Sequence, residues 1–322
     1  MFFLFVHAQD TFSIVAADSA TRETASAGAS CVDLYSAGYT DATFLGDLLP
    51  DTGAINTQAS YLAANQNNAR ARMRAGDSPA QIIDWLTTHD VQSNPSIRQY
   101  GIVGFTGSNV SAAGYTGTNC LDYKNNIKGS INGIYYSIQG NILLGQIVLD
   151  SMEAQFKRAE GDLACRMMAA LQGAKRIGAD TRCTADSTSS LFAFIKVAQS
   201  TDTYGNPSFI MSVKTHAHTH IEPIDSLQVL FDLQHNCTST GIKVKTINNE
   251  ITVYPNPTGN TVIIKVHSSL VGSGYTITDL YGRCVITGKL KSETESVDIH
   301  QLSSGMYFIL VESSSRKRFI KK

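Results

Sequence analysis

The sequence predicts an α+β protein made of one large and one small domain, and three observations support this. Its 322 residues exceed what one average domain holds. Strand-like and helix-like patterns alternate from Thr11 to Val213, whereas from Ile251 onward only short β-rich runs separated by turn residues occur. An apolar fraction of 43% supports a substantial core, and 16% charged residues with 25 glycines are typical of a β-rich secreted protein.

The charge balance and the patterns exclude several function classes. With 26 Lys and Arg against 27 Asp and Glu, the net charge of -1 provides no field that would attract nucleic acid or an anionic membrane. No segment reaches the ~18 apolar residues that a membrane-spanning helix needs. A glycine-rich phosphate loop is also missing, so neither a nucleotide site nor a flavin site is expected.

The first residues are similar to the end of a signal peptide. Met1–Ala8 is an apolar run ending in Val6-x-Ala8, which meets the small-residue rule of signal peptidase, although it lacks a basic segment. A buried first strand is the alternative, and the polar pair Gln9-Asp10 favours the signal peptide. We expect a signal peptide remnant at residues 1–10, a large domain at 11–236, a linker at 237–250 and a small domain at 251–322.

The large domain begins with a predicted β-hairpin, because Thr11–Ala17 is apolar and β-branched and Thr24–Val32 follows a polar turn. Helices are predicted over Ala59–Gly76 and from Ser78, which caps a helix ahead of Pro79, to Leu86. Further predicted elements are strands at Arg98–Phe105 and Ser111–Thr116, helices at Ile142–Arg158 and Asp162–Ile177, and closing strands at Ser190–Val197 and Ser208–Val213. This order predicts two packed sheets with helices on their outer faces, a four-layer αββα arrangement.

Six cysteines are spread along the chain without a Cys-x-x-Cys pair, which argues against zinc or dithiol redox chemistry. In an exported chain, an even number suggests disulfides. Sequence alone leaves several connectivities open, and among them we expect Cys31 with Cys120 and Cys165 with Cys183.

The small domain combines strand-like runs and turns that predict an antiparallel β-sandwich. The run Thr261–Val266 alternates only loosely, so we expect a strand buried largely on both sides. Four motifs follow in order: Val253-Tyr254-Pro255-Asn256-Pro257, Asp279-Leu280-Tyr281-Gly282-Arg283, Leu302-Ser303-Ser304-Gly305-Met306-Tyr307-Phe308 and the basic end Lys317-Arg318-Phe319-Ile320-Lys321-Lys322.

These motifs resemble the C-terminal sorting domain of the type IX secretion system of Bacteroidetes. The resemblance implies export across the outer membrane with the secretion machinery as a partner. It also implies removal of the domain, followed by release or by attachment to surface polysaccharide, so the protein is expected to be secreted or on the cell surface. A generic sandwich that binds a ligand is the alternative.

A second set of motifs lies in the large domain: Thr11-Phe12-Ser13-Ile14-Val15-Ala16, Asn56-Thr57-Gln58-Ala59, Gly76-Asp77-Ser78-Pro79, Arg98-Gln99-Tyr100-Gly101-Ile102-Val103, Tyr115-Thr116-Gly117 and Gln139-Gly140-Asn141-Ile142-Leu143. They resemble the bacterial domain of unknown function 1028, an N-terminal-nucleophile-hydrolase-like family, over residues 11–233. The reaction of that family is unsettled, so the resemblance implies a fold and the position of a nucleophile.

The resemblance makes Thr11 the candidate nucleophile. In that superfamily the first residue of the mature chain attacks a carbonyl, while its own α-amine, with a pKa of about 7.7–8.0, takes the proton. Cleavage after Ala8 leaves Gln9-Asp10 attached, so further trimming or self-cleavage before Thr11 is required. A threonine protease of this superfamily usually has a lysine in the second strand, where this hairpin offers Ser30-Cys31.

Candidate oxyanion-hole donors are the side chain of Asn141 and the backbone of Gly140, which we expect at the start of a helix, and the side chain of Gln58. Each residue also has a structural interpretation. Thr11 is then a strand residue, Asn141 a helix N-cap and Gln58 a buried hydrogen-bond partner.

Two further polar groups are candidate sites. If their segment is a strand, His216, His218 and His220 share a face and, with Glu222, predict a Zn²⁺ site; an exposed loop is the alternative. Asp180 and Arg182, together with Asp186, either bind substrate or form a turn.

The sequence therefore leaves two function hypotheses. The first is a secreted amidase-like hydrolase that acts through Thr11 on an unidentified small-molecule or peptide substrate. The second is a catalytically silent binding domain that keeps the fold and uses the Gln139-Gly140-Asn141 region for a peptide or glycan. A homodimer through the helices is expected in either case.

Overall fold

The computed structural model describes residues 11–237, 251–280, 282–311 and 317–322. Residues 1–239 and 240–322 form two separate units. The predicted signal peptide remnant lies outside the described residues, as does nearly all of the predicted linker. At the level of fold class, the protein is a mixed α and β structure with sheets and a C-terminal β-sandwich-like unit, as expected.

The predicted N-terminal hairpin is confirmed. Strand β1 (Thr11–Asp18) pairs antiparallel with β2 (Thr24–Ser30), and only Asp18 among their residues is not fully buried. Burial on both faces demands small side chains in β2, because a Cβ added at Gly28 would lie 3.0 Å from both Phe194 and Ser13. The hairpin therefore forms the middle of the large unit.

A four-stranded sheet with two helices follows in the chain. The helix predicted from Ala59 begins at Ala63, because β4 continues through Ala59. Ser78 caps the second helix as predicted, in a capping box with Gln81. The elements are β3 (Gly46–Leu49), β4 (Gly53–Ala59), α1 (Ala63–Arg74), α2 (Pro79–Thr88), β5 (Arg98–Thr106) and β6 (Asn109–Thr116), with the strands in the order β3-β4-β5-β6.

The remaining elements of this unit complete a six-stranded sheet in the order β10-β9-β2-β1-β8-β7. The helix predicted from Ile142 begins at Gln146, because β8 continues through Leu143. Gly140 and Asn141 therefore lie inside a strand, and their expected position at a helix start is wrong. The elements are β7 (Tyr123–Ile131), β8 (Ile134–Leu143), α3 (Gln146–Arg158), α4 (Leu163–Ala174), β9 (Phe192–Ala198), β10 (Phe209–Lys214) and α5 (Pro223–Gln234).

Each sheet carries its own helices. Helices α1 and α2 contact β3 to β6, whereas α3, α4 and α5 contact strands of the six-stranded sheet. The two sheets also contact each other, with β1 against β4 and β5, and β8 against β5 and β6. Both faces of β1 are thus covered, one by α4, with Phe12 and Ile14 in the core beneath the helices, and the other by the four-stranded sheet, where Val15 packs.

The space between the sheets changes character along β1. At the Val15 end it is filled by apolar side chains such as Leu48 and Val103. At the Thr11 end, Thr11 and Ser13 meet buried polar side chains of β4 and β8. Because buried polar groups are costly unless they are hydrogen-bonded, the polar end requires a complete network or a function.

The predicted cysteine pairing is wrong. Cys31 bonds to Cys183 across 152 residues, and Cys165 bonds to Cys237 across 72. Cys31 follows β2 directly, and the short 3-10 turn Thr181–Thr184 lies against the end of that strand. The pairing is thus decided by tertiary contact between segments that are distant in the chain. Cys120, which was predicted to pair with Cys31, is a buried free cysteine whose thiol donates to the carbonyl of Arg98.

The C-terminal unit has two sheets around one core of side chains such as Ile264, Ile277, Ile309 and Phe319. The strand predicted at Thr261 is buried on one face only, since Val262 and Ile264 are buried but Thr261 and Lys265 are exposed. Its sheets have the orders β11-β12-β15 and β14-β13-β16-β17, built from β11 (Thr252–Tyr254), β12 (Thr261–Lys265), β13 (Gly274–Asp279), β14 (Cys284–Lys289), β15 (Thr294–Asp298), β16 (Gly305–Val311) and β17 (Lys317–Lys321).

Candidate active site

Thr11 lies at the first position of β1, fully buried and directly opposite Ser30 of β2. Its backbone nitrogen donates to Oδ1 of Asn141 at 3.3 Å, and its carbonyl accepts from Nε2 of Gln58 at 2.9 Å. The structure therefore brings together the residues named as nucleophile and donors, although they come from three strands and two sheets.

Gln58 has no N–H left for an oxyanion. Besides Thr11, its Nε2 donates to Oε1 of Gln99 at 2.7 Å, and its Oε1 accepts the hydroxyl of Ser13 at 2.5 Å. An amide has two N–H donors, and both are used. In this arrangement Gln58 holds β1 in place, and its role as an oxyanion donor stays a prediction.

Two glutamines complete the network between the sheets: Gln99, which was given no site role from the sequence, and Gln139, which was named only with the binding hypothesis. Gln99 Nε2 donates to the carbonyl of Gly140 at 2.9 Å, which is a different group from the Gly140 backbone N–H predicted as a donor. Gln139 Nε2 donates to Ser13 Oγ at 2.6 Å. Both glutamines lie in the motifs that carry the family resemblance, and that was the available signal.

The backbone bends sharply after two of the site residues. Ala59, next to Gln58, has φ 62°, and Ile142, next to Asn141, has φ 53°. A β-branched residue rarely adopts this left-handed region, and such strain concentrates at functional sites. The two strands thus change direction at the edge of the space that holds Thr11.

Arg182 and Asp180 lie beside the strand residue that pairs with Thr11. The carboxylate of Asp180 is fully buried and accepts Arg182 Nε at 3.0 Å and Nη2 at 2.6 Å, and it also accepts the backbone N–H of Cys31 at 2.9 Å. Arg182 Nη2 reaches Ser30 Oγ at 3.4 Å. The Cys31–Cys183 disulfide also joins the end of β2 to the Asp180–Arg182 segment. The Arg182 guanidinium is therefore held beside the hairpin, whose second strand has no lysine.

The predicted zinc strand does not form. Residues 215–222, which follow β10, are a turn and extended loop rather than a strand. His216 Nδ1 lies 3.7 Å from Asp33, His218 Nδ1 lies 3.2 Å from Asp186 Oδ1, and His220 Nδ1 contacts the Asp186 carbonyl at 2.7 Å.

Within the described ranges, the ligand atoms of these three histidines do not form a group that could hold one metal ion. Asp186 does lie close to the sulfurs of Cys31 and Cys183, but those sulfurs are bonded to each other. The imidazole of His216 lies beside Asp33, whereas those of His218 and His220 contact two different oxygens of Asp186.

Comparison with known proteins supports both halves of the chain. Residues 11–227 match the family described as "Family of unknown function (DUF1028)", and residues 252–322 match the secretion system C-terminal sorting domain. The sorting domain shows that the protein is handled by type IX secretion and is secreted or on the cell surface. None of the described helices is long and apolar enough to cross a membrane.

Two solved structures are similar to parts of the chain. The crystal structure of protein SPO2555 from Silicibacter pomeroyi, a DUF1028 protein, is 21% identical, with a TM-score of 0.53 over 70% of this chain and 88% of that chain. PorZ, a surface component of the type IX secretion system of Porphyromonas gingivalis, is 23% identical over 26% of this chain and 13% of that chain, with a TM-score of 0.21. The first likeness supports the fold alone. No curated protein sequence matches the chain.

Proposed function

The chain belongs to the DUF1028 family, a family of unknown function, and we propose from the geometry around Thr11 that it is an exported amide hydrolase with an N-terminal threonine nucleophile. The observation that carries the proposal is the contact of 3.3 Å between the Thr11 nitrogen and Asn141 Oδ1. This nitrogen is the atom that becomes the base once the chain begins at Thr11.

In the proposed reaction, the free amine of Thr11 takes the proton of its own hydroxyl, and Oγ1 bonds to the carbonyl carbon of the substrate amide. The carbon–nitrogen bond then breaks, and the leaving amine takes the proton from the ammonium. Water hydrolyses the resulting ester and restores the hydroxyl. Asn141 accepts one N–H of the amine, which leaves the nitrogen lone pair for the hydroxyl proton.

Arg182 has a distinct role in this proposal. A threonine hydroxyl loses its proton more readily when a positive charge lies nearby, because the charge favours the anion that forms. Arg182 contacts Ser30, the strand partner of Thr11, and the buried carboxylate of Asp180 fixes its guanidinium with two hydrogen bonds. We therefore assign Arg182 the part that a lysine of the second strand plays in related threonine proteases, in addition to its earlier assignment to substrate binding.

The packing supports the finer fold assignment on which the proposal draws. Helices α1 and α2 pack on the four-stranded sheet, α3 to α5 pack on the six-stranded sheet, and β1 lies between α4 and the four-stranded sheet. We propose that this is the four-layer αββα order of N-terminal nucleophile hydrolases. The nucleophile then lies at the end of a central strand, between the two sheets.

A second function has a specific observation in its favour. In the sequence, ten residues precede Thr11, so its nitrogen is an amide until they are removed, and an amide nitrogen is not a base. If Thr11 stays internal, the protein is a binding domain for a peptide or glycan that uses the same polar region. The hydrogen bond from Thr11 to Asn141 then stabilises the strand only.

The N-terminus of the exported protein distinguishes the two functions. Intact mass and N-terminal sequencing of protein from the culture medium are expected to give a chain that begins at Thr11. A chain that keeps earlier residues and still reacts would contradict the proposed mechanism.

Reaction with an electrophilic β-lactone tests the nucleophile in the same material. The wild type is expected to form one covalent adduct that Thr11→Ala abolishes and Thr11→Ser retains. Thr201→Ala, a change at an exposed threonine of the β9–β10 connection, serves as the control and should label as the wild type does.

A further inference from the structure

A cleft of about 290 Å³ opens between the segment around β3 and the β9–β10 hairpin. It lies far along the hairpin strands from the candidate active site, since Ala198 in its wall pairs with Thr24, at the opposite end of β2 from Ser30. Its volume is at the lower end of the range for small-molecule sites, so the matching ligand is smaller than a typical drug.

Lys196 of β9 supplies a positive charge to this cleft. Its ammonium donates to the carbonyl of Gly46 at 2.9 Å, and this is its single hydrogen bond among the described residues. Burial lowers the pKa of Lys196, although the carboxylates of Asp41 and Asp47 oppose this effect. An ammonium has three N–H donors, so a ligand oxygen has donors to bind and would relieve the cost of burying this charge.

Asp41 supplies the opposite charge. This exposed carboxylate also lines the cleft, and its Oδ1 accepts the backbone N–H of Thr43 at 2.7 Å. It acts on Lys196 electrostatically without forming an ion pair with it. The other carboxylate of the wall, Asp47, is already paired with Arg70, whose Nε lies 2.6 Å from Oδ2.

Tyr204 forms an aromatic wall in a fixed position. The guanidinium carbon of Arg74 lies 4.6 Å from its ring centroid and that of Arg70 lies 5.1 Å from it. Two such cation–π contacts restrict the orientation of the Tyr204 ring. Leu48 and Ile210 add apolar surface to the same cleft.

We propose that this cleft is a binding site for a free α-amino acid with an apolar side chain. The carboxylate of the ligand binds Lys196, its ammonium binds Asp41, and its side chain packs against Tyr204 and Leu48. Two opposite charges that line one cleft without pairing match a zwitterion better than an anion or a cation. This site is separate from Thr11 and does not depend on the proposed hydrolysis.

Calorimetric titration of the full chain with three probes tests the charge argument. L-leucine carries both charges, 4-methylpentanoate lacks the ammonium and 3-methylbutylamine lacks the carboxylate. Leucine is expected to bind at least tenfold more tightly than either analogue, because each analogue leaves one charge of the cleft without a partner. Equal binding of all three, or no saturable binding of leucine, would overturn the proposal.

Matched variants assign the two charges. Asp41→Asn is expected to weaken leucine binding at least tenfold and to leave 4-methylpentanoate binding unchanged, whereas Lys196→Met weakens both. Lys128→Met, at an exposed position of β7, is the control. Because Lys196→Met could disturb folding, thermal unfolding is compared first, and the exposed Asp41 keeps the test decisive if that variant unfolds. Thr11→Ala should bind leucine as the wild type does, and loss of binding there would overturn the assignment to this cleft.

Discussion

Arg182 and Ser30 are 152 residues apart in the chain, yet Nη2 of the arginine lies 3.4 Å from the serine hydroxyl. Ser30 is the residue that faces Thr11 across the hairpin. The carboxylate of Asp180 accepts two hydrogen bonds from the Arg182 guanidinium and one from the backbone N–H of Cys31. A positive charge from outside the hairpin therefore lies beside the strand partner of Thr11, and this is the charge that we propose takes the place of a lysine.

Replacement of Arg182 tests this relationship. We expect Arg182→Met to slow β-lactone labelling of Thr11 by about 100-fold, the usual effect of losing one stabilising donor or charge at a reacting centre. Arg182→Lys should lose less, since it keeps the charge but not the paired hydrogen bonds to Asp180. The rate is measured by mass spectrometry as a function of pH.

The control for this prediction is Arg158→Met, which removes an exposed arginine from α3. It should label at the wild-type rate. A purely structural role for Arg182 would lower the melting temperature of Arg182→Met and leave the pH dependence of labelling unchanged, and that result would contradict the assigned role.

The two disulfides are expected to differ in what they support. Loss of either one, as Cys31→Ser with Cys183→Ser or as Cys165→Ser with Cys237→Ser, should cost about 3–5 kcal/mol of unfolding free energy, because each closes a long loop. Only the first pair positions the Asp180–Arg182 segment against β2. Urea unfolding measures the stability, and β-lactone labelling of folded protein measures the site.

The expected result is slower labelling for the Cys31/Cys183 variant and unchanged labelling for the Cys165/Cys237 variant. Equal labelling in both would mean that the hydrogen bonds of Asp180 suffice to place Arg182. The second disulfide thus acts as the internal control for general destabilisation.

Much of the large unit was predictable because local signals and packing agree. The small residues of β2, the Ser78-Pro79 cap of α2 and the Asp162 cap of α4 are local features that the tertiary structure keeps. Strand β8 was missed because Ser137, Gln139 and Asn141 make it look too polar for a buried strand. Their polarity is satisfied by hydrogen bonds within β8 and to Thr11 and Ser13 of the distant strand β1, which the sequence of one segment does not reveal.

The candidate active site was also only partly predictable, because some of its contacts join distant segments. Thr11, Asn141 and Gln58 were named from motifs, and the structure places them in contact. The position of Ser30 opposite Thr11 depends on the register of the hairpin. The position of Arg182 beside Ser30 depends on how a distant segment packs against the hairpin. A pattern within one segment predicts an element, but contacts across 152 residues depend on the assembled core.

A side chain at Gly101 of β5 should destabilise the protein, because it would collide with the hydrogen-bond network between the sheets. A Cβ at this position would lie 1.9 Å from Oε1 of Gln139. We expect Gly101→Ala to cost about 1–3 kcal/mol, as overpacking of a core does. Gly104 on the same strand is the matched control, since a Cβ there would meet its nearest neighbours at 3.5 Å.

Urea unfolding of the two variants checks this prediction, and Gly104→Ala is expected to be neutral or slightly stabilising. Combining Gly101→Ala with Gln139→Ala should cost less than the sum of the two single changes, because the second change removes the clashing group. Strict additivity would contradict the proposed clash.

Asp90 and Arg98 form a buried ion pair whose contribution to stability should depend on pH in a defined direction. Burial disfavours the charge of Asp90, but the Arg98 guanidinium at 2.8 Å and the backbone N–H groups of Asn94 and Gln92 outweigh it and hold the pKa at about 2. The unfolded chain has a value of about 3.9. Since the folded pKa is the lower one, the pair stabilises fully above the unfolded value and loses this effect as the pH falls toward 2.

Asp90→Asn isolates this contribution. At neutral pH it should lower the unfolding free energy by about 3–5 kcal/mol, because the charge of the buried Arg98 loses its partner. The difference from the wild type should stay constant down to about pH 5 and shrink from about pH 4 to about pH 2. Urea unfolding across this range measures it, with the exposed Asp84→Asn of α2 as control. A difference that stays constant through pH 2 would show that the pair does not titrate as described, since protonation of Asp90 removes from the wild type the same interaction that the asparagine lacks.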